Sequence, residues 1–301
     1  MLMIAHHPYF CHPLPAGHRF PMEKYDLLYQ QLIYQGVVDD SQFFEPAKVA
    51  WDMLSLSHAS EYIEHVLELN LDGKMVRRIG FPLSRQLVER EQHIVQGTIL
   101  ASHYALEYGV SFNSAGGTHH AGRDFGEGFC IFNDQAVAAN SLLQSGGFKR
   151  IAIVDLDVHQ GNGTAHIFDG SSQVFTLSMH AENNYPFKKE KSTLDIPLQD
   201  GLEDHAYLAC LDENLKYLLE TFKPEFVFYQ AGVDVLATDK LGRLSLTMEG
   251  CRARDAMVFN ALYKEGIPVQ VSMGGGYSPN ISDIVNAHIE TYKQAIKIFK
   301  L

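Results

Sequence analysis

The sequence has few cysteines, and they are not arranged as a metal site or a disulfide framework requires. The four residues lie far apart and form no CxxC pair; they are Cys11, Cys130, Cys210 and Cys251. This usage predicts neither a cysteine-ligated zinc site nor a set of disulfides, and it is typical of a reducing compartment.

Long apolar runs are also absent. The apolar stretch at residues 1–5 ends at His6 and is too short for the core of a signal peptide. No segment approaches the roughly 20 apolar residues that a membrane helix needs. We therefore expect a soluble, cytoplasmic protein without a membrane partner.

Basic residues are outnumbered by acidic ones. The sequence has 24 Lys and Arg residues and 36 Asp and Glu residues, which gives a formal net charge of -12. A chain this acidic is a poor candidate for binding the phosphates of nucleic acids or an anionic membrane. The acidic balance is suited to attracting lysine-rich or polyamine substrates, but it does not choose between them.

Several catalytic motifs are missing, whereas histidine is abundant. The sequence contains no GxxxxGK[ST] phosphate loop, no GxSxG elbow and no HExxH pair, so a serine or cysteine hydrolase has no motif support. The 15 histidines make each His cluster a candidate for metal binding or proton transfer. The N-terminal cluster has no carboxylate nearby in sequence, and we assign it to the surface or to local hydrogen bonds; it comprises His6, His7, His12 and His18.

Short β-branched runs alternate with longer amphipathic segments along the 301 residues. The runs predict strands at 1–5, 110–113, 150–154, 174–179, 226–230 and 269–273. The amphipathic segments predict helices at 57–69, 87–108, 134–144, 203–222, 248–264 and 282–299. Strands that are apolar on both faces are typical of a parallel sheet with helices on both sides. We predict a single three-layer α/β domain over residues 1–301, with a central, mostly parallel sheet.

Polar residues follow most of the predicted strands. Open α/β sheets bind ligands just beyond the carboxyl ends of their strands. We therefore expect one sheet edge to gather chemically capable side chains from distant segments, namely His119, His120, Asp155, Asp157, His159, His180, Asp234 and Tyr277.

One group at this edge has the composition of a cation site. Asp155, Asp157 and His159 are spaced by two, which at a strand end points their side chains to one side. Asp234, from another strand, would be a third ligand beside Asp157 and His159. Two carboxylates and one neutral imidazole balance a divalent charge and leave coordination positions open, as in a catalytic zinc site. A D-x-H triplet alone more often caps a helix or hydrogen-bonds a loop. The polar residues that follow the other predicted strands make a metal site the better interpretation here.

Two further features suit acid–base chemistry. Adjacent imidazoles do not easily share one ion, so His119 and His120 suit a pair of proton-transfer groups, with two exposed loop histidines as the alternative. Tyr277 follows three glycines, and its hydroxyl is suited to donate to a developing oxyanion, although a packed phenol is a comparable interpretation. Phe129 suits either the wall of an apolar channel or the core.

Four segments together resemble the zinc-dependent histone deacetylase family. They are GGTHHAGRDFGEGFCIFND at 116–134, VDLDVHQGNG at 154–163, QAGVDVLATDKLGRLSLT at 230–247 and MGGGY at 273–277. The resemblance covers most of the chain, in order, and implies the arginase/deacetylase fold. The HQGNG stretch, the Tyr185-Pro186 segment and the short length most resemble the class IV branch and its bacterial relatives.

The resemblance implies roles for the matching residues. Zinc would be held by Asp157, His159 and Asp234. His120 would act as general base and His119 in a more electrostatic role. Asp155 would orient His119, and Asn162 stands at the position expected to orient His120.

Other matching positions concern the substrate and a second ion. Tyr277 would polarise the acyl carbonyl together with zinc. Asp155 and Ser178 match the family's structural potassium site. The acyl-lysine channel would have Phe129 and Tyr185 as walls, with Gly128 and Gly275 as further channel residues.

The implied reaction is zinc-dependent hydrolysis of an acyl group from a lysine side chain of a protein or peptide. Deacetylation of acetylpolyamines or another small amide remains an alternative, and an inactive acyl-lysine binding module is an alternative of another class. The complete ligand set argues against the inactive module. An arginase-type second metal is disfavoured because Gly161 and Leu236 stand where it would need carboxylates.

Two positions depart from the family pattern. Asn162 replaces an Asp found in many members, so we expect a less basic His120. The loop at 81–84 offers no carboxylate to grip a peptide backbone, which leaves a small-molecule amide open.

Overall fold

An eight-stranded sheet runs through the computed structural model, which describes residues 1–301. Its strands are β1 (Met3–Ala5), β2 (Phe43–Phe44), β3 (Val110–Asn113), β4 (Ile151–Asp155), β5 (Val174–Ala181), β6 (Leu194–Leu198), β7 (Phe226–Gln230) and β8 (Val269–Ser272). The strand order is β2-β1-β3-β8-β7-β4-β5-β6, and every neighbouring pair is parallel. The prediction of a central, mostly parallel sheet is confirmed.

Ten α-helices accompany the sheet. They are α1 (Lys24–Tyr34), α2 (Trp51–Leu54), α3 (Ser60–Leu67), α4 (Gly73–Ile79), α5 (Arg85–Tyr108), α6 (Asp134–Gln144), α7 (Asn162–Ile167), α8 (Asp204–Thr221), α9 (Met248–Glu265) and α10 (Ile281–Phe299). Polar caps encoded in the sequence begin several of them: the Thr247 side chain accepts from Gly250 N–H ahead of α9, and Asn133 accepts from Ala136 N–H ahead of α6. None of the helices is both long and apolar enough to cross a membrane.

Helices cover both faces of the sheet, which gives the three layers expected. Alternate residues of the central strands enter two separate cores: Val154 and Tyr229 pack with α1, α8, α9 and α10 on one face. Ile153 and Phe228 pack with α2, α3, α5 and α6 on the other. Strands buried on both faces therefore form continuous apolar runs in the sequence, which is why the sequence signal for them is strong.

The six predicted strands and six predicted helices all exist, with ends shifted by up to three residues. One shift matters for the site: β4 extends to Asp155, which is therefore the last residue of the strand. Two strands and four helices have no counterpart among the predictions, namely β2, β6, α1, α2, α4 and α7. Most of these are too short to show a periodic pattern, and the edge strand β6 contains Pro197.

The assignment of the N-terminal histidines to the surface is wrong for His6 and His12, which are buried. The His6 ring stacks on Tyr29 at 4.4 Å, and its Nδ1 lies 3.1 Å from the Ser114 hydroxyl. These partners are distant in sequence, so only the fold brings them together. His7 and His18 do make local hydrogen bonds to backbone N–H groups.

The long loop between β3 and α6 is tied down by a buried histidine. His58 Nδ1 donates to the Gly122 carbonyl at 2.9 Å, and its Nε2 accepts from Asn133 N–H at 3.0 Å. Burial lowers the pKa of His58 to about 4, so the ring is neutral in the fold. The loop carrying His119 and His120 is therefore fixed near its middle, just after the two histidines, and at its C-terminal end.

This histidine predicts acid sensitivity. Unfolding raises the pKa of His58 from about 4 to its ordinary 6.5, so its contribution is complete above pH 6.5 and is lost as the pH falls toward 4. The loss amounts to about 3 kcal/mol for this residue. Urea unfolding of His58→Gln across this range should therefore show a smaller fall in stability than the parent. The exposed His205→Gln serves as control, and an unchanged pH slope in His58→Gln would contradict the assignment.

Candidate metal and catalytic site

Loops from four adjacent strands meet at one edge of the sheet. The strands β3, β8, β7 and β4 are consecutive in the sheet, so the segments after them lie side by side. These segments bring together the buried side chains of His119, His120, Asp157, His159, Asp234 and Tyr277. These are six of the eight residues that the sequence analysis expected at the carboxyl ends of the strands. Of the other two, Asp155 is the last residue of β4, and His180 lies inside β5 rather than after it, because β5 runs on to Ala181.

Asp157, His159 and Asp234 present their ligand atoms to a common point. One ligand atom from each lies within 4.8 Å of the others, and all three residues are buried. His159 Nδ1 is 3.1 Å from Asp157 Oδ1 and 3.2 Å from Asp234 Oδ2. The other carboxylate oxygens accept backbone N–H groups, Asp157 Oδ2 from Gly275 at 2.7 Å and Asp234 Oδ1 from Val158 at 3.0 Å. Backbone amides therefore hold both carboxylates in orientation.

The chemistry of this donor set fits a divalent cation. Burial alone would lower the pKa of His159, but hydrogen bonds and charge from Asp157 and Asp234 raise it to about 10. The point between the two carboxylates therefore strongly favours positive charge. A divalent ion with a neutral His159 meets the same demand, and Asp and His are ordinary zinc ligands.

Glycines leave room for these carboxylates. A Cβ at Gly275 would overlap Asp234, and a Cβ at Gly232 would overlap Asp157. The absence of side chains at the two positions lets the loops after β7 and β8 close around the ligand atoms.

The two adjacent histidines have different partners. His119 Nδ1 is 2.6 Å from Asp155 Oδ2, and His120 Nδ1 is 2.7 Å from Asn162 Oδ1. Burial by itself would lower the pKa of His119, but the carboxylates of Asp155 and Asp157 raise it to about 9. Burial, with positive charge on His119 and His159, holds the pKa of His120 well below its ordinary value. The pair therefore combines a cationic and a neutral imidazole.

A buried acid determines which nitrogen of His120 carries the proton. Asn162 Nδ2 donates to Glu127 Oε1 at 2.6 Å, and Glu127 Oε2 accepts from Arg78 Nε at 3.1 Å. Because the Glu127 carboxylate pairs with the Arg78 guanidinium and only accepts, the Asn162 amide turns its Nδ2 toward Glu127 and its Oδ1 toward His120. His120 Nδ1 must then carry the hydrogen, which leaves Nε2 unprotonated.

Glu127, Arg78 and Asp239 were not among the predicted site residues. Glu127 stands within the segment at 116–134, but nothing in its sequence neighbourhood reveals its contact with Asn162, 35 residues away. Asp239 lies near Asp234, and its pairing with the loop after β8 is equally invisible in sequence.

Asp239 holds the loop that carries Tyr277. Tyr277 N–H donates to Asp239 Oδ2 at 2.6 Å, while Asp239 Oδ1 accepts from the N–H groups of Leu241 and Gly242. Burial and the charges of Asp157 and Asp234 keep the pKa of Tyr277 well above its ordinary value. Its hydroxyl is therefore a neutral hydrogen-bond donor.

The predicted channel residues surround a cavity above these groups. The cavity measures about 390 Å³ and is bordered by His120, Gly128, Phe129, Tyr185 and Tyr277. Gly128 and Phe129 have φ angles of +57° and +68°, and a Cβ at Gly128 would come within 2.5 Å of the His120 ring. Gly275 instead lines a smaller space of about 40 Å³, which Asp157 and His159 also border.

The structure brings Asp155 and Ser178 to paired positions on neighbouring strands. Both oxygens of Asp155 already accept hydrogen bonds, from Asp157 N–H and from His119, and the Ser178 hydroxyl lies 3.0 Å from His180 Nδ1. A potassium ion at these residues stays a prediction.

Comparison with known proteins agrees with the geometry. The histone deacetylase domain matches residues 18–292. An uncharacterized protein of Picosynechococcus sp. is 43% identical over 98% of this chain and 99% of its own length. A probable deacetylase of Archaeoglobus fulgidus is 30% identical over 92% of this chain and 81% of its own. A crystal structure of an HDAC homolog complexed with SAHA superposes with a TM-score of 0.81 and 25% identity, covering 99% of this chain and 88% of that one.

We expect the metal-free protein to bind one Zn²⁺ per chain, and Asp234→Asn to weaken binding at least about 100-fold. Calorimetric titration and metal analysis measure both. The exposed Asp52→Asn on α2 is the control. Removing one of two repelling buried carboxylates should leave Asp234→Asn at least as stable as the parent in chelator, which separates ligand loss from misfolding. Parent-like zinc affinity in Asp234→Asn would remove this residue from the ligand set.

Proposed function

Because the chain belongs to the histone deacetylase family, we propose that it is a zinc-dependent deacetylase that removes acyl groups from lysine side chains. Family membership supports a deacetylase, hence a hydrolase of amide bonds. The observation that carries the finer proposal is the enclosure of one cavity by a cation site, a neutral imidazole and a neutral phenol. Residues 1–301 would form one catalytic domain, and its placement in the class IV branch stays a prediction.

In this proposal, Asp157, His159 and Asp234 hold zinc. When bound, the ion supplies a Lewis acid that polarises the acyl carbonyl and lowers the pKa of a water molecule. His120 removes a proton from the attacking water through the free Nε2, because Nδ1 is occupied by Asn162. The Tyr277 hydroxyl donates to the oxyanion that develops on the carbonyl oxygen.

The remaining steps use the same residues. His120, once protonated, donates to the leaving amine nitrogen, so the products are a free amine and a carboxylic acid. His119, hydrogen-bonded to Asp155, has a more electrostatic role beside His120. Phe129 and Tyr185, with Gly128, would form the walls of the acyl-lysine channel.

Tyr277→Phe tests the role of the phenol. Loss of one donor to the oxyanion should lower kcat on an acetyl-lysine peptide by about 100- to 1000-fold. Zinc content should not change, since the hydroxyl is not a ligand. Tyr217→Phe, at an exposed position on α8, is the control. The same assays are run on long-chain acyl-lysine peptides and acetylpolyamines, each with and without a chelator. An unchanged kcat in Tyr277→Phe would reject the assigned role.

Glu127→Gln tests the orientation of Asn162. A Gln side chain both donates and accepts, so it no longer fixes the amide of Asn162, and kcat should fall by about 10- to 100-fold with little change in KM. The double variant Glu127→Gln/Asn162→Asp should recover much of this loss. The amide at position 127 can donate to the carboxylate at position 162, and that carboxylate accepts the hydrogen of His120 Nδ1. Glu107→Gln, at the exposed end of α5, is the control. A double variant no better than the single one would contradict this orientation.

A further inference from the structure

The mouth of the catalytic cavity has the opposite charge from the chain as a whole. Of the 15 residues that line it, none is acidic and four are Lys or Arg: Arg19, Arg78, Lys240 and Arg243. In a chain with a formal charge of -12, this local excess of positive charge is unexpected. The acidic balance of the whole sequence therefore does not describe the surface that a substrate meets.

Two of the four cations have partners within the chain. Arg243 forms an ion pair with Asp200 at 3.0 Å, and Arg78 pairs with the buried Glu127. Both guanidinium groups remain substantially exposed at the cavity, with 52% and 43% of their side-chain surface accessible. They keep donors available for a further anion, since a guanidinium has five N–H groups.

The other two cations have no acidic partner. Arg19 and Lys240 are exposed and take part in no ion pair. The Arg19 guanidinium instead lies 5.0 Å from the centre of the Phe129 ring, which holds it beside the channel wall. Two uncompensated charges thus flank the same opening.

A second segment of the cavity lining contains no acidic residue. The segment from Asn183 to Phe187 contributes amide and aromatic groups to the cavity. Lys189 holds this segment in place, donating to the Asn184 and Pro186 carbonyls at 2.5 and 2.6 Å. The exposed residues next to this lining segment, Glu182 and Lys188, carry opposite charges, so they leave the excess of positive charge in the lining unchanged.

These charges oppose a cationic substrate. An acetylpolyamine would leave its ammonium groups, and a lysine-rich peptide its neighbouring side chains, among four cations. No carboxylate lines the cavity to receive these groups, and the nearby Asp200 already pairs with Arg243. Like charges placed this close disfavour binding, and opposite charges favour it and speed the encounter.

We infer that the mouth is a subsite for negatively charged groups of the substrate, so that the preferred substrate is an acylated amine flanked by carboxylates, as in an acidic peptide segment. The inference rests on the proposed deacylase function. An extended peptide advances about 3.3 Å per residue, so acidic residues within two positions of the acyl-lysine lie within about 7 Å of it, over the mouth.

The test compares acetyl-lysine peptides of one length that differ only in the four flanking residues, which are acidic, neutral or basic. At low salt, kcat/KM should be about tenfold higher for the acidic than for the neutral peptide and lower still for the basic one, mainly through KM. Exposed charges are screened by salt, so the differences should shrink at about 0.5 M salt. Equal values, or a preference for the basic peptide, would overturn the inference.

Variants assign the effect to the mouth. Arg19→Glu/Lys240→Glu should bring the acidic-to-basic ratio of kcat/KM to one or below. The control Lys216→Gln, on α8 away from the cavity, should keep the parental ratio. The parental ratio in the double variant would also overturn the inference.

Further arms separate this inference from the function on which it rests. Hydrolysis of the neutral peptide without charge preference would reject only the anionic subsite. If the zinc-loaded protein hydrolyses no peptide, the deacylase proposal fails, and fluorescence anisotropy of the same labelled peptides still tests whether the mouth prefers the acidic one. An N-blocked acetyl-lysine with a free carboxylate, compared with its amide, shows whether a small molecule supplies the negative charge as well as a peptide does.

Discussion

Two carboxylates buried next to each other are the constraint around which the functional edge of this protein is built. Burial and the neighbouring Asp157 raise the pKa of Asp234 to about 7, so the pair resists holding two negative charges unless a cation joins them. The surrounding loops are shaped to keep both groups in place: Gly275 and Val158 donate backbone N–H groups to them. The fold thus maintains an arrangement that is costly by itself and is relieved by a cation between the carboxylates.

One buried acid, Glu127, connects the catalytic imidazole with the entrance of the cavity. Its carboxylate contacts His120 only through the Asn162 amide, whereas an Asp at position 162 would contact the imidazole directly. The relay therefore keeps the hydrogen on His120 Nδ1 but raises the basicity of the imidazole less than a direct carboxylate would. Arg78 binds Glu127 on its inner side and borders the cavity on its outer side. The charge that organises His120 is therefore balanced by a cation that a substrate also meets, although the chain as a whole is acidic.

The sequence by itself determined the fold class and the main members of the site. Strands such as β4 and β7 are buried on both faces, so their apolar runs identify a parallel sheet, and the sheet places the residues after each strand at one edge. Short or edge elements such as β2 and α7 lacked a periodic pattern and escaped prediction. The site residues accessible in this way each stand close to a strand end; they are Asp157, His159, Asp234, His119, His120 and Tyr277.

Only the tertiary structure decided how those residues are oriented and which groups surround them. Glu127 reaches Asn162 across 35 positions, and Asp239 reaches Tyr277 across 38. Arg19 and the segment at 240–243 meet at one opening although they are far apart in the chain. Hydrogen-bond direction and local charge depend on distances between side chains in space. The sequence reveals such distances only when the two residues in contact are also close together in the chain.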